Sequence, residues 1–372
     1  MSRARDFADL AGSADAGGIT GKNLLVNGSM AISQRGTSFA TMGNGDSQYT
    51  LDRFKWQESG SPTLEMTVTQ DSSSPNEMGN SKSLKVEVTT AQSSLGSGDR
   101  VRIEQYIEAQ NCQSIAKGTS AAKALSASFW VKSSKTGTYI VELQDNDNDR
   151  INSQSYSISS ANTWEYKTLT FPADTTGAIN NDNGNGISFR MYLCAGTDYT
   201  SGSLNTSWVG VSGNNTGAAV GQVNLADTVN ATWFVTGVQL EVGEQATPFE
   251  HRSFADELAR CQRYYQVSGS SVNSSYNVFP GQRWSSNNIF FSVPIATSMR
   301  ANPTIGSDVS GNFGFVGGNN QSKAFSLSEM NFVSLDSSSI TARVTVDFTP
   351  NSAYAYTGYF NTAGELQLDA EL

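Results

Sequence analysis

Between Leu84 and Leu240 one pattern recurs. Leu84, Val86 and Val88 alternate with Lys85, Glu87 and Thr89. Leu125, Ala127, Phe129 and Val131 alternate with Ser126, Ser128, Trp130 and Lys132. Tyr139, Val141 and Leu143 follow a KTGT turn, and Ile187, Phe189, Met191 and Leu193 alternate with Ser188, Arg190, Tyr192 and Cys194. A run from Trp233 to Leu240 closes the series. Period two puts successive side chains on opposite faces of a strand, so each segment buries one face and leaves the other wet. Polar loops such as TQDSSSPNEMGNSKS and GAINNDNGNG lie between them. Antiparallel sheets stacked as a sandwich satisfy this pattern, and so many strands across 22–252 make a jelly roll with long loops.

Residues 253–266 change period. Ser253 is placed as N-cap with Asp256 as its capping partner. Phe254, Leu258, Cys261 and Tyr265 fall on one stripe of a connecting helix, which must be buried against something. Residues 267–372 read as a second, smaller β-sandwich, with strands at Asn288 to Val293, Ala324 to Leu327, Asn331 to Leu335, Ile340 to Phe348 and Gly364 to Asp369. About 105 residues make a marginal sandwich alone and a steadier one as an oligomer. Residues 1–21 pair one or two helical turns, Arg3 to Leu10, with the flexible linker AGSADAGGITG, a short N-terminal anchor that cannot fold alone. The expected fold class is therefore all-β: a jelly-roll β-sandwich, a short helix and a smaller C-terminal β-sandwich behind that anchor.

Charge and composition remove several function classes. A formal net charge of −10 with no basic stripe disfavours nucleic acid. No stretch approaches the roughly 20 apolar residues of a membrane helix, so no membrane insertion is expected. The opening MSRARDFADL has neither the apolar core nor the cleavage site of a signal peptide. Cys112, Cys194 and Cys261 form no CxxC pair and read as buried free thiols of a chain folded in a reducing cytoplasm. The one histidine, His251, stands before the helix, and no GxSxG elbow, HExxH, P-loop or GxGxxG-helix is present. The motifs describe no enzyme. Paired-carboxylate chemistry stays open, since two acids have no spacing signature.

Longer strings carry a resemblance. NLLVNGSMAISQRGTSFA, followed by YTLDRF, resembles the opening of a sandwich module common in bacteriophage tail-fibre and other virion appendage proteins. LSASFWVKSSKTGTYIVELQD, Trp164 with KTLTFPADTTG, and FVTGVQLEVGEQATPFEHRSFADELARCQRYYQ resemble the rest of it, and SVPIATSMRANPTI resembles the start of the unit that often follows. The resemblance spans 22–266 well and 267–303 less closely, then fades. It implies a carbohydrate-binding-module-like jelly roll in a homotrimeric phage structural protein made in the host bacterial cytoplasm and carried on the virion. A tail fibre that attaches to host surface polysaccharide is the leading form. A head fibre, a capsid decoration and a tail adaptor use the same module. A polysaccharide-degrading tailspike is disfavoured, because no coil period of about 20–25 residues is present. Docking onto other phage tail or baseplate proteins falls to Arg3, Arg5, Phe7 and Leu10 of the anchor. Several weak sites on one fibre gain ~10²–10⁴ in avidity without any strong site.

Within that frame two groups of residues are candidate sites. Asp145, Asp147 and Asp149 in DNDNDR alternate in a turn and suit a Ca2+ ion. Arg150 stands where an EF-hand needs Gly and Tyr156 where it needs Glu, so a sandwich-end calcium loop competes with a plain solvated hairpin tip. Sugars stack on exposed rings. Trp284, Tyr354, Tyr356 and Tyr359 are the glycan candidates, with Tyr199, Trp208, Tyr276 and Phe360 in similar loop-like surroundings. The plainer role for the C-terminal cluster is packing at a trimer interface. Trp56, Trp130, Trp164 and Trp233 read as core or interface. Asp52 beside Arg53 reads as an ordered ion pair, and Phe249 as a plug at the sandwich end.

Overall fold

The computed structural model describes residues 21–43, 45–79, 82–211, 216–269, 279–293, 295–306, 313–317, 322–325, 330–345, 356–360 and 365–372. Two compact units emerge, residues 1–257 with Leu372, and residues 258–371. The anchor residues Arg3, Arg5, Phe7 and Leu10 lie outside the described residues, as do Tyr276 and Tyr354.

The first unit is a two-sheet antiparallel sandwich. Its strands are β1 (Ser38–Gly43), β2 (Ser47–Tyr49), β3 (Lys55–Ser59), β4 (Glu65–Asp71), β5 (Ser83–Thr90), β6 (Arg100–Glu108), β7 (Leu125–Ser133), β8 (Gly137–Asp145), β9 (Arg150–Ile158), β10 (Glu165–Phe171), β11 (Asn185–Ala195), β12 (Val209–Gly210) and β13 (Thr232–Val242). One sheet runs β1-β4-β5-β13-β7-β10 and the other β12-β9-β8-β11-β6-β3-β2. The alternation that defined the strands also builds the core: Val86, Phe129, Val131, Leu143, Phe189 and Trp233 meet between the sheets. Trp56 joins them, and both it and Trp233 are fully buried. Trp130 and Trp164 are half-buried instead. They lie against Tyr166 and Phe234, with Lys132 Nζ 4.9 Å from the Trp164 ring.

The wet second face does not hold for β11. Ser188, Arg190 and Tyr192 are buried there too. Cys194 joins the core because the register with β6 shifts between Tyr192 and Cys194. Cys112, Cys194 and Cys261 are free and buried.

The residues that carry the family resemblance are structural. In β13 the register against β7 shifts between Thr236 and Gln239, around Gly237 at φ +63°. Asn23 fills the irregularity: its Nδ2 donates to Val238 O at 3.0 Å, and its Oδ1 accepts from Leu240 N at 3.0 Å. Arg252 donates to Asn23 O at 2.6 Å and Leu25 O at 3.1 Å, and Glu250 accepts from Asn23 N at 2.9 Å. Glu257 accepts from Asn27 N. Together these bonds fasten 21–27 to 250–257. Gly28 closes against the same strand, where a Cβ would lie 2.1 Å from Val238 O. Gly28→Ala is expected to lower stability by about 1–3 kcal/mol or more, read as a drop in thermal midpoint. Asp52 accepts from Gln34 N at 2.7 Å, Arg53 donates to Tyr106 O at 2.5 Å, and both are buried.

Two helices have described ends, α1 (Thr197–Thr200) and α2 (Phe254–Gln262). The second is shorter than 253–266. Ser253 Oγ accepts from Asp256 N at 3.1 Å, as expected of the cap. The apolar stripe needs correction. Phe254 is 65% exposed and Glu257 is buried in its stead, while Cys261 is buried as expected. The bonds of Glu257 to Asn27 and Arg252 select that face, and Tyr265 already belongs to the next strand. No helix among the described residues is long and apolar enough to cross a membrane.

The second unit holds a three-stranded sheet, β14 (Tyr265–Gly269), β23 (Glu365–Asp369) and β17 (Thr304–Gly306), in that order. Its other sheet has β15 (Phe279–Ser285), β16 (Asn288–Val293), β18 (Phe313–Gly317), β19 (Ser322–Phe325), β20 (Met330–Leu335), β21 (Ile340–Thr345) and β22 (Tyr356–Phe360), ordered β19-β18-β22-β15-β16-β21-β20. Ile289, Phe291, Ile340, Val344, Leu366 and Leu368 form the shared core. Tyr356 belongs to that core at 1% exposure. Its alternation along β22 points it inward, so it is corrected from glycan platform to packing residue.

Candidate functional site

The buried outer face of β11 is where the chain concentrates its polar chemistry. Five neighbouring strands, β3, β6, β11, β8 and β9, bring a row into register. Lys55 lies opposite Glu104, Glu104 opposite Arg190, Arg190 opposite Glu142, and Glu142 opposite Ser153. Residues directly opposite across antiparallel strands stand about 5 Å apart at Cβ, so the charges alternate in contact. Flanking rows bring together Gln57, Arg102 and Tyr192 on one side, and Tyr106, Ser188 and Gln144 on the other. Trp56, Ile103, Met191 and Val141 fill the opposite, core side of the same strands.

Side chains on this face are tied together. Glu104 Oε2 accepts from Arg102 Nε at 2.8 Å and lies 3.2 Å from Arg190 Nε, while Tyr106 donates to Oε1. Arg190 Nη1 donates to Glu142 Oε1 at 2.9 Å and to the Gln144 side chain. Tyr192 donates to Glu142 Oε2 at 3.3 Å. Glu104 and Glu142 are fully buried, Arg102 and Arg190 almost so. Lys55, Gln57, Tyr106 and Gln144 are half-buried and form the accessible rim. Lys55 Nζ sits 5.0 Å from the Tyr106 ring and 5.6 Å from that of Tyr49. At the other end Tyr199, Leu204 and Ala219 roof Ile140 and Tyr192. Arg100 stacks on Tyr199 at 4.5 Å and donates to Ser59 Oγ at 2.7 Å.

These contacts set protonation. Burial alone would push the Glu104 carboxyl up, but Arg102, Arg190 and the Tyr106 hydroxyl hold it below its ordinary value. Burial works against the Arg102 charge, yet Glu104, Tyr192 and Glu142 raise its affinity for the proton. Burial and Glu142 push Tyr192 up to about 12. Burial and the neighbouring Arg102 lower Arg100. The face thus offers fixed carboxylate acceptors, fixed guanidinium donors and phenol rings. The acids held up by burial, Asp52 and Glu58, lie elsewhere: Asp52 binds Gln34, and Glu58 alternates to the core side of β3.

Other expected sites separate. Trp284 is 64% exposed and stacks on Phe290, with centroids 4.8 Å apart and planes at 11°. Tyr359 stands on β22 opposite Gly314. Trp208 donates to Pro172 O at 2.8 Å. Phe249 is half-buried, edge-on to His251. A groove of about 900 Å³ bordered by Ala122, Lys123, Pro172, Glu244 and Gln245 has no aromatic ring among its lining residues.

The three aspartates of DNDNDR do not converge. Asp145 is buried, accepts from Asp147 N and Asn148 N, and pairs with Lys117 Nζ at 2.6 Å. Asp147 is exposed and holds Asn180 by its N and Nδ2 at 2.9 and 2.8 Å. Asp149 is exposed at φ +48°. Lys117 Nζ also lies 3.0 Å from Asp174, so the buried carboxylate of the three is already paired with a side-chain ammonium. Among the described residues no group of three or more His, Cys, Asp or Glu is placed to hold a metal.

Sequence reasoning missed Lys55, Arg102, Glu104, Tyr106 and Glu142. The signal was DRVRIEQYIE, where Val101 and Ile103 alternate with Arg100, Arg102, Glu104 and Tyr106.

No protein-family model matches this chain, and no curated protein matches it. Solved structures do. The enzymatically active domain of tailspike protein 4 from bacteriophage CBA120 is 14% identical with a TM-score of 0.31, over 55% of this chain and 21% of that one. This chain therefore spans about a fifth of that tailspike chain. A CBM22-2 xylan-binding domain from Paenibacillus barcinonensis is 15% identical with a TM-score of 0.28, over 55% and 97% of the two chains. A family 11 carbohydrate-binding module from a Clostridium thermocellum cellulosomal cellulase is 11% identical with a TM-score of 0.27, over 57% and 96%. At such scores these likenesses bear on neither ligand nor site.

Proposed function

We propose that this chain is an adhesion protein whose first unit binds glycan on the outer face of β3, β6, β11 and β8, and that three copies form a fibre on a phage tail. The observation that carries the binding reading is the arrangement of Glu104, Arg102, Arg190, Glu142 and Tyr106. These groups already hold each other in place on a sheet face that ordinarily faces water. A ligand hydroxyl arriving there meets the accessible rim of Lys55, Gln57, Tyr106 and Gln144, backed by buried groups whose rotamer freedom is already lost, which lowers the cost of binding. Rings at Tyr106 and Tyr49 beside Lys55 supply stacking surface at the rim. The locked, ionised Glu104 supports adhesion over cleavage.

The virion role rests on the sequence resemblance. A head fibre, capsid decoration or tail adaptor would use the same module elsewhere on the particle, and the N-terminal segment would carry the docking. Trp284 on its Phe290 neighbour favours a second, weaker site in the C-terminal unit, in keeping with multivalent attachment.

Two measurements test this. Light scattering is expected to give three 39.8 kDa chains per particle, and immunogold labelling to mark the tail; a monomer or a head label removes the trimeric tail fibre. In affinity electrophoresis against host surface polysaccharide, Lys55→Ala with Gln57→Ala should weaken retention about tenfold at an unchanged melting temperature. Unaltered retention would move the site off this face.

A further inference from the structure

The face that the proposed function uses is not charge-balanced. Among the described residues, the rows carry four cations, Lys55, Arg100, Arg102 and Arg190, and two carboxylates, Glu104 and Glu142. Both carboxylates are already occupied: Glu104 by Arg102, Arg190 and Tyr106, Glu142 by Arg190 and Tyr192. The next acid along β6, Glu108, accepts from Gln110 beyond the end of these rows. Among the charged groups of these rows, the unused capacity is on the donor side. Arg102 is 4% exposed, and its Nη1 is buried with no hydrogen-bond partner among the described residues. Arg100 Nη1 is in the same condition. Lys55 has rings beneath its ammonium and no carboxylate bonded to it in the rows. A buried donor without an acceptor is costly, and a chain of net charge −10 concentrates this surplus of cations on one face.

Resting on the glycan reading, we infer that the ligand of this face is an anionic polysaccharide, one whose sugars carry a carboxylate, sulfate or phosphate that accepts from Arg102 and Arg100 and sits near Lys55. Guanidinium pairs well with planar or tetrahedral oxyanions, and such charge-assisted bonds are about twice as strong as neutral ones. A neutral glycan would leave the Arg102 donor unmet.

Titration of the full chain against polygalacturonate and alginate, with dextran and xylan as neutral counterparts, tests the inference. The acidic polymers should bind at least about tenfold more tightly. That preference should shrink as NaCl rises from about 50 to about 500 mM. Arg102→Gln should erase most of it. If that variant folds poorly, Lys55→Gln at the rim should still reduce the preference for the acidic polymers by severalfold. Equal or stronger binding of the neutral polymers overturns the anionic ligand and leaves the glycan site standing. Binding of neither class by folded protein overturns both.

Discussion

Glu104→Gln should destabilise the first unit by about 3–5 kcal/mol, because it strands Arg102 in the interior without its counter-charge and leaves Arg190 with Glu142 alone. Chemical denaturation followed by near-UV dichroism will read it, since Trp56 and Trp233 are buried in the same sandwich. The substitution should also change the acid response. Glu104 titrates below its ordinary value of 4.5 when folded. Its contribution is therefore fully present above that ordinary value and drains away as pH falls through the folded one. Asp174 and Glu250 are depressed as well and add to the same loss on acidification. Asp52 and Glu58 are raised and oppose it, since each prefers to be protonated in place. The wild type should lose stability below about pH 4.5, and the Gln variant should show a shallower slope there. An identical slope would mean that the Arg102 and Arg190 contacts do not hold Glu104 ionised.

Lys117→Met should cost a similar amount, about 3–5 kcal/mol, at the opposite end of the sheet. Its ammonium neutralises both Asp145 and Asp174 and donates to Thr176 O at 2.8 Å. Arg150 would remain on Asp174, while Asp145 would keep only the turn amides and the Asn148 side chain. Asp145→Asn in the Lys117→Met background should recover part of the loss, since the stranded carboxylate is then gone. Millimolar calcium should leave the wild-type melting temperature unmoved. A calcium-dependent rise of several degrees would restore the metal loop that the sequence suggested.

Sequence legibility follows how locally each feature is encoded. Strands β5, β7, β8, β11, β13 and β16 announce themselves because burial on one face writes a two-residue period into a few consecutive positions. The cap at Ser253 is legible for the same reason. The helix face is not, because Glu257 is drawn inward by Asn27, far away in sequence. Tyr356 looks like Tyr354 and Tyr359 in the sequence, and only the pairing of β22 with β15 and β18 tells which way it alternates. The proposed binding face is the extreme case. Lys55, Glu104, Arg190 and Glu142 come from four strands, and each is an ordinary polar residue on an apparently wet face. Their meeting depends on register, which no local pattern states.

The fastening of 21–27 to 250–257 has a mechanical consequence. When the first unit is held at its beginning and pulled at its end, the load passes from Asn23 through Arg252 and Glu250 and is shared with the Asn27–Glu257 contact. Those bonds join the two ends of the unit directly to each other. Tension between the two ends of the unit would thus pass through these bonds and reach the strands β3, β6, β11 and β8 less directly.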